Sequence, residues 1–508
     1  MTQGPKCSEI ETLKIVISGA GPAGLLTALH LLRHNEDPGS SLVRYNVTLI
    51  DNNVDYGSLS NEDLKLFHRS WMIALTDNGI KALKEIPNLF EKYVQPVAVL
   101  MEWFSVRVGR RILSRSSTES YPGDTYVVDR NFVVAALARY IKDRFGTCAC
   151  FNFMTETKAM FVDVDCQRIL TRSTKCERDP SGDRYVPYDF IVGCDGVRSI
   201  VRDGVANNHR DFAFDISDTF AIFKSVHIER PSSMKNAEAT IFVNSMPHMV
   251  FGVALPEMGN KLNIGLGYYK NYECDAEMKS NDPKVVAKYV KEKFLPFTLD
   301  DYDDFAEQWV AQPWSTTGQV HCNFYHSCKC KILLLGDAAH ATSPTLGMGM
   351  NTALEDSSVF MRLLDEFNHN WMTMMPEFSK ERVKIGHALT DISFYSHSFC
   401  PRQSARMQIT GFIRSKLSRW TGGLVMGDPL DKIGLQGYSL ADAYEDLVKL
   451  KCIQPIKEKN DRIIRAHFEK STGMIKQIPT TPTWLKALQI TSIGAFVLIA
   501  VTNMKIKK

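Results

Sequence analysis

Residues 13–24 read Leu-Lys-Ile-Val-Ile-Ser-Gly-Ala-Gly-Pro-Ala-Gly, and residues 25–33 continue Leu-Leu-Thr-Ala-Leu-His-Leu-Leu-Arg. A β-rich apolar run, a Gly19-x-Gly21-x-x-Gly24 turn and an apolar helix pattern follow one another without a gap. The glycine spacing alone is a weak signal, and its context makes it specific. Beyond a polar loop at 34–43, Asn46-Val-Thr-Leu-Ile-Asp51 gives a second strand that ends in an acid, completing a βαβ unit. Each glycine has a task. Gly19 permits the tight turn, Gly21 lets backbone approach a pyrophosphate, and Gly24 lets helix and strand pack closely. Ala20, Pro22 and Ala23 complete the loop. The pyrophosphate then rests on unsatisfied N–H groups at the positive end of the helix. Asp51 is the expected acceptor for an adenosine ribose hydroxyl, and the loop at 34–43 accounts for its long spacing from Gly19.

Two later motifs bear on which dinucleotide binds. Asp195-Gly196-Val-Arg198-Ser199 follows the apolar run Phe190-Ile-Val-Gly-Cys. Gly336-Asp337-Ala-Ala-His340-Ala-Thr-Ser-Pro344-Thr-Leu346-Gly347-Met348-Gly349-Met350-Asn351 follows the buried strand Lys331-Ile-Leu-Leu-Leu335 and leads into a helix over 350–367. An acid at a strand end can hold a ribityl hydroxyl. Pro344 shapes the loop. Gly347 and Gly349 let backbone amides and a helix N-terminus face the pyrimidine edge of a flavin, where reduction places negative charge. His340 is read as packing within the motif.

Composition narrows the class. Hydrophobic residues are 44% and charged residues 23%, which excludes a disordered, collagen-like or polytopic membrane chain. Lys+Arg 60 against Asp+Glu 57 leaves +3, so no basic excess points to nucleic acid. The 12 Cys are scattered. The close pairs Cys148/Cys150 and Cys328/Cys330 lack zinc-site spacing, so reduced thiols are expected and no metal-ligating set is nominated. The N-terminus is polar, with no apolar core of a signal peptide. By contrast, Ala487–Met504 carries no charge, lies behind Trp484 and Lys486, and precedes Lys505, Lys507 and Lys508. As a helix it would span about 27 Å, near the hydrocarbon thickness of a bilayer. A membrane anchor at 484–504 is therefore expected, with the catalytic body in the cytosol.

The expected fold is α/β: a Rossmann-type FAD-binding domain with an inserted, largely antiparallel β-sheet substrate domain and a helical C-terminal region. In chain order the segments are 1–100 (βαβ part), 101–190 (mixed sheet and helix), 191–215 (second motif), 216–325 (antiparallel sheet), 326–370 (third motif), 371–480 (helical) and the anchor.

The three motifs, in this order and separation, resemble the single-component FAD-dependent aromatic hydroxylases. Within them the resemblance is strongest to the kynurenine 3-monooxygenases, densest over about 315–395. It is carried by Cys322-Asn-Phe-Tyr-His-Ser, Asn351-Thr-Ala-Leu-Glu-Asp-Ser-Ser-Val-Phe360 and His387-Ala-Leu-Thr-Asp-Ile-Ser-Phe-Tyr395. The resemblance implies bound FAD, with NADPH as a transient co-substrate that has no domain of its own. It implies O2 and an aromatic small molecule as the other reactants. It also implies that Arg130, in Tyr126-Val-Val-Asp-Arg130, contacts FAD. A hydrophobic C-terminal segment in that branch points to the mitochondrial outer membrane, with the endoplasmic reticulum as the alternative.

Departures concern the substrate. Leu100 stands where the kynurenine enzymes place a carboxylate-binding arginine, and leucine makes no hydrogen bond. Arg107, Arg110 or Arg111 could replace it. Tyr121 is a counterpart of the family's tyrosine, Ser396 replaces an asparagine beside Tyr395, and Leu346 and Met348 replace bulkier or polar residues near the flavin. The expected reaction is monooxygenation of an aromatic substrate. The alternative is hydroxylation or epoxidation of a more lipophilic one, or a flavin-binding protein that acts through partners.

Overall fold

A computed structural model describes residues 11–37, 43–65, 72–118, 124–176, 182–243, 250–396, 398–433 and 437–471. Tyr121 and the expected anchor at 484–504 lie outside the described residues. Among the described residues, no helix is long and apolar enough to cross a membrane.

The chain divides into two units. Unit 1 comprises 1–98, 128–217 and 318–390; unit 2 comprises 99–127, 218–317 and 391–508. The stretch 101–190 is thus split after Val127, and its second half joins the dinucleotide-binding unit.

Unit 1 is built on six strands: β1 (Glu11–Ser18), β2 (Val43–Ile50), β3 (Phe151–Met154), β4 (Phe190–Gly193), β5 (His326–Ser327) and β6 (Ile332–Leu334). Their order is β5-β6-β4-β1-β2-β3, parallel except for β5. Ile15–Ile17, Ile191, Val192 and Ile332–Leu334 are buried, as a parallel sheet covered on both faces requires. The helices that matter for the site are α1 (Pro22–Glu36), α2 (Arg130–Phe145), α3 (Ile200–Ala206), α4 (Asp337–His340), α5 (Gly349–Glu366) and α6 (Trp371–Tyr395). Leu25, Leu26, Leu29 and Leu32 bury the α1 face. Cys148 and Cys150 are joined by a disulfide, which departs from the expectation that the cysteines are all reduced.

Unit 2 holds a second six-stranded sheet, ordered 221–229, 261–269, 250–257, 238–243, 103–108 and 111–117. It is antiparallel except where Glu238–Val243 runs parallel to Trp103–Val108. Val226, Ile264, Leu266, Phe305 and Trp309 belong to its core. Among the described residues, five α-helices follow this sheet within unit 2: Pro283–Tyr289, Tyr302–Ala311, Pro401–Trp420, Leu440–Lys449 and Ile453–Ser471.

Candidate functional site

The three glycine-containing motifs emerge from three adjacent parallel strands. β1 ends in Gly19, β4 runs into Asp195-Gly196, and β6 runs into Gly336-Asp337. Cys194 N–H donates to the Ser18 carbonyl at 2.7 Å, and Leu335 N–H donates to the Gly193 carbonyl at 3.0 Å. The carboxyl end of a parallel sheet is where open α/β folds bind ligands.

Backbone geometry explains each glycine. Gly19 has φ +101°, a conformation L side chains rarely adopt, and a Cβ there would collide with the Cys194 carbonyl. A Cβ on Gly24 would strike the Gly19 carbonyl oxygen. Gly21 differs: a Cβ there meets nothing within 4 Å. Packing within the protein does not demand glycine at 21, whereas close approach by a ligand does. Gly336, which opens the third motif, lies between α1 and α5, its would-be Cβ 3.3 Å from Ala23 Cβ and from Ala353 Cβ. Ser357 of α5 donates to the Ala23 carbonyl at 2.9 Å and accepts from Thr27 at 3.0 Å, so the first and third motifs are locked helix to helix.

Two long helices have their N-termini left open here. α1 begins after Gly21 with Pro22 at its first turn, and α5 begins after Met348 and Gly347, the latter at φ +68°. Neither has a side-chain cap, whereas Asp129 caps α2 and Ser199 caps α3. Uncapped N–H groups at the positive ends of two long helices suit the pyrophosphate and the reduced flavin ring. Pro344–Leu346 forms a single tight turn that delivers Gly347, and Ser343 accepts from Thr345 N–H within it. Met350 and Gly349 lie in the first turn of α5.

Acids stand at three strand ends. Asp51 accepts from Ala20 N–H at 2.7 Å and from Asn53 N–H at 2.7 Å, so it shapes the first glycine loop. It borders a cavity together with Ala20, Gly21, Tyr56, Arg130 and Asn131. Arg130 is the exposed first residue of α2. Burial raises the Tyr56 hydroxyl above its ordinary range, and the Arg130 charge partly opposes that. Asp195 Oδ2 accepts from Ile200 N–H at 2.9 Å, while its buried Oδ1 has no partner among the described residues. Burial pushes the Asp195 carboxyl upward. Gly196 beside it has φ +79° and open space where a Cβ would be. Asp337 is exposed at the start of α4. Three hydroxyl acceptors, two open helix ends and one Cβ-free approach fit an adenine dinucleotide carrying a ribityl flavin.

Asn351 has a second task. Its side-chain Oδ1 accepts from Thr76 N–H at 2.9 Å and its Nδ2 donates to the Ala74 carbonyl at 2.9 Å. Only its backbone N–H is left to face a cofactor. His340 packs within the motif as expected: Nε2 lies 2.6 Å from Asp356 Oδ2.

The sequence reading missed what holds the third motif. Asp356 also accepts from Gly336 N–H at 2.8 Å and from Arg382 Nε at 2.7 Å. Burial alone would raise its carboxyl; His340 and Arg382 outweigh that and hold it down at about 2. Arg202, fully buried, donates to the Ala338 carbonyl at 2.9 Å and to the Val197 carbonyl at 2.7 Å. An acid on the apolar face of a helix pattern, as Asp356 is, was the available signal.

The substrate candidates fall in different units. Leu346 is half-buried in unit 1. Leu100 is exposed in unit 2, where Tyr395 is buried with the Lys457 ammonium 5.3 Å from its ring centre, next to half-buried Ser396. Of the three arginines that could replace the missing one, Arg107 is buried at 3.5 Å from Glu238, a carboxylate that also pairs with Arg115 at 3.0 Å. Arg110 and Arg111 are exposed.

A family model described as an FAD binding domain matches residues 147–393. Violacein synthase of Chromobacterium violaceum is 24% identical over 89% of this chain and 99% of its own length. Kynurenine 3-monooxygenase of Flavobacterium psychrophilum is 24% identical over 80% of this chain and 84% of its own length. The chain is thus similar to FAD-dependent monooxygenases over most of its length. A third relative, the kynurenine 3-monooxygenase of Sus scrofa, is 31% identical over 42% of this chain and 44% of its own length. The fold matches 2-methyl-3-hydroxypyridine-5-carboxylic acid oxygenase, with a TM-score of 0.57 at 16% identity over 84% of this chain and 96% of that one. It also matches p-nitrophenol 4-monooxygenase of Pseudomonas putida, with a TM-score of 0.55 at 17% identity over 87% and 98%.

Proposed function

We propose that this chain is an FAD-dependent monooxygenase that consumes NADPH and O2 to place one oxygen atom on an aromatic substrate, releasing water and NADP+. The observation that carries the reading is the convergence of three motifs on adjacent strand ends, with two uncapped helices and a Cβ-free approach at Gly21. Bound FAD would supply the redox chemistry. The chain's own residues hold and orient it. The α1 N-terminus and Gly21 would receive the pyrophosphate, Asp51 a ribose hydroxyl and Asp337 a ribityl hydroxyl, and the α5 N-terminus would stabilise negative charge on the ring. No second dinucleotide fingerprint is needed if NADPH binds transiently.

The substrate class follows from the arginines. Relatives named for kynurenine hydroxylation favour kynurenine, but Leu100 makes no hydrogen bond and Arg107 already serves Glu238. A less acidic, more lipophilic aromatic substrate is the second reading. The helix Pro401–Trp420 and the turn after it support a membrane-associated enzyme. Phe412, Ile413, Leu417, Trp420 (84% exposed) and Leu424 (90% exposed) are interleaved with Arg414, Lys416 and Arg419. The cations would attract an anionic lipid surface, and the apolar segment 484–504 would add an anchor. The mitochondrial outer membrane, with the endoplasmic reticulum as alternative, remains the proposed location.

The test is the visible spectrum of the full-length protein, then NADPH oxidation with and without kynurenine, coupled to detection of hydroxylated product. Flavin absorption with kynurenine-stimulated, product-coupled turnover supports the first reading. Flavin absorption with stimulation only by lipophilic aromatics supports the second. Folded protein that binds no FAD overturns both.

A further inference from the structure

On the far side of unit 1 from the motifs, α1 and α5 end close together. His34 lies in the last turn of α1, Asp365 in the last turn of α5, and His369 just beyond it. One nitrogen from each ring and one carboxylate oxygen lie within 4.8 Å of one another. The imidazole ring centres lie 4.0 Å apart with the planes tilted by 45°, and His369 Nε2 lies 3.4 Å from Asp365 Oδ1. We propose that His34, Asp365 and His369 form a binding site for one divalent transition-metal ion of the zinc class, separate from the flavin site.

Four features support it. The donor set is two imidazoles and a carboxylate, which zinc accepts, and with one water it completes a tetrahedron. The rings are held by outer partners in the manner of metal-ligating histidines. Tyr45 Oη lies 2.8 Å from His369 Nδ1, and His34 Nε2 lies 3.2 Å from the Val43 carbonyl. A carbonyl only accepts, so His34 Nε2 carries the proton and Nδ1 the lone pair. With Tyr45 accepting from His369 Nδ1–H, Nε2 carries the lone pair on that ring.

Helix polarity is the third feature. The C-terminal ends of α1 and α5 bring partial negative charge to one spot, which attracts a cation. The fourth is backbone strain. Asn368 (φ 49°) and His369 (φ 60°) are consecutive non-glycine residues in the left-handed region, a costly way to turn a chain unless the histidine's position matters. Arg44 works against the site: its charge acts on both rings and would repel a cation.

The test uses the full-length, FAD-loaded protein, stripped of metal by a chelator and titrated with Zn2+ against a chromophoric zinc indicator. The expected result is one tight zinc per chain, with nitrogen and oxygen neighbours by X-ray absorption. Asp365 is 58% exposed, so Asp365→Asn should fold normally, keep its flavin spectrum and bind zinc at least tenfold more weakly. His369→Gln should do the same. Arg44→Gln should bind zinc more tightly. The proposal fails if the wild-type protein takes up no stoichiometric zinc or if sulfur appears in its first shell. It also fails if Asp365→Asn and His369→Gln bind like wild type.

Discussion

The Arg202 guanidinium, carried by the second motif, donates to the carbonyl of Ala338 in the third at 2.9 Å. The same side chain donates to the Val197 carbonyl and lies 4.9 Å above the Phe214 ring centre. One side chain therefore fixes the spacing between the Asp195 and Asp337 strand ends. Arg202→Met keeps bulk but leaves two buried carbonyls short of a donor. The expected cost is about 2–4 kcal/mol of stability, with weaker FAD retention. Urea unfolding and flavin release on gel filtration measure the two effects. Arg202→Lys should rescue only part, because an ammonium cannot reproduce the fork.

Gly21 and Gly24 should fail in different ways. Gly21→Val puts a side chain into open space, so the apoprotein should keep its melting temperature within a few degrees and lose FAD affinity at least tenfold. Gly24→Ala drives a Cβ into the Gly19 carbonyl and should lower the melting temperature outright. Thermal melts with and without added FAD separate the two outcomes. Equal destabilisation by both would show that Gly21 serves packing.

Asp356 sets an acid limit. Its carboxyl is held at about 2 against an ordinary 3.8. A depressed carboxyl contributes in full above its unfolded value, and the contribution is lost as pH falls through the folded one. It supplies about 2 kcal/mol near neutrality, lost between about pH 4 and pH 2. Asp356→Asn should flatten the stability slope in that window. It should also cost about 3–5 kcal/mol at pH 7, because Arg382 and His340 lose their buried partner. Urea midpoints across pH check both.

Leu100→Arg tests the substrate reading. If the family's carboxylate contact is simply missing, the variant should lower the KM for kynurenine at least tenfold with little change in unstimulated NADPH oxidation. No response to kynurenine in either protein points to a substrate without that carboxylate.

The exposed apolar side chains at the end of helix Pro401–Trp420 and in the turn after it predict lipid binding. Trp420→Ser with Leu424→Ser in the full chain should leave flavin absorption intact and reduce co-sedimentation with anionic vesicles. Unchanged co-sedimentation would exclude this patch as a contact.

The motif positions were legible because each rests on local chemistry: glycines at a strand-to-helix turn, or an acid closing an apolar run. What was not legible depends on partners distant in sequence. Strand 103–108 pairs with 238–243, so 101–127 belongs to unit 2 although it precedes more of unit 1. Arg107 reads as a spare cation until Glu238 is seen against it. His34 and His369 look like unrelated helix-end residues, and only the meeting of α1 with α5 brings their rings together. Asn351 sits inside a flavin motif, yet its side chain clasps residues 74–76. Local patterns announce glycine turns and strand-end acids and stay silent on the struts behind them.

The parallel sheet also sets an order of events during synthesis. Ile15 pairs with Phe190, and Ile191 pairs with Ile332. At about 5–20 residues per second, the ribosome needs on the order of ten seconds or more to deliver each partner. The nascent N-terminal strand thus waits with one edge unpaired long after the first glycine loop has emerged. The pyrophosphate cradle is translated early and the ring-facing helix late, so cofactor capture belongs to the end of translation. Slowing elongation between residues 51 and 190 should lengthen the exposure of that edge and increase aggregation, without altering the finished enzyme.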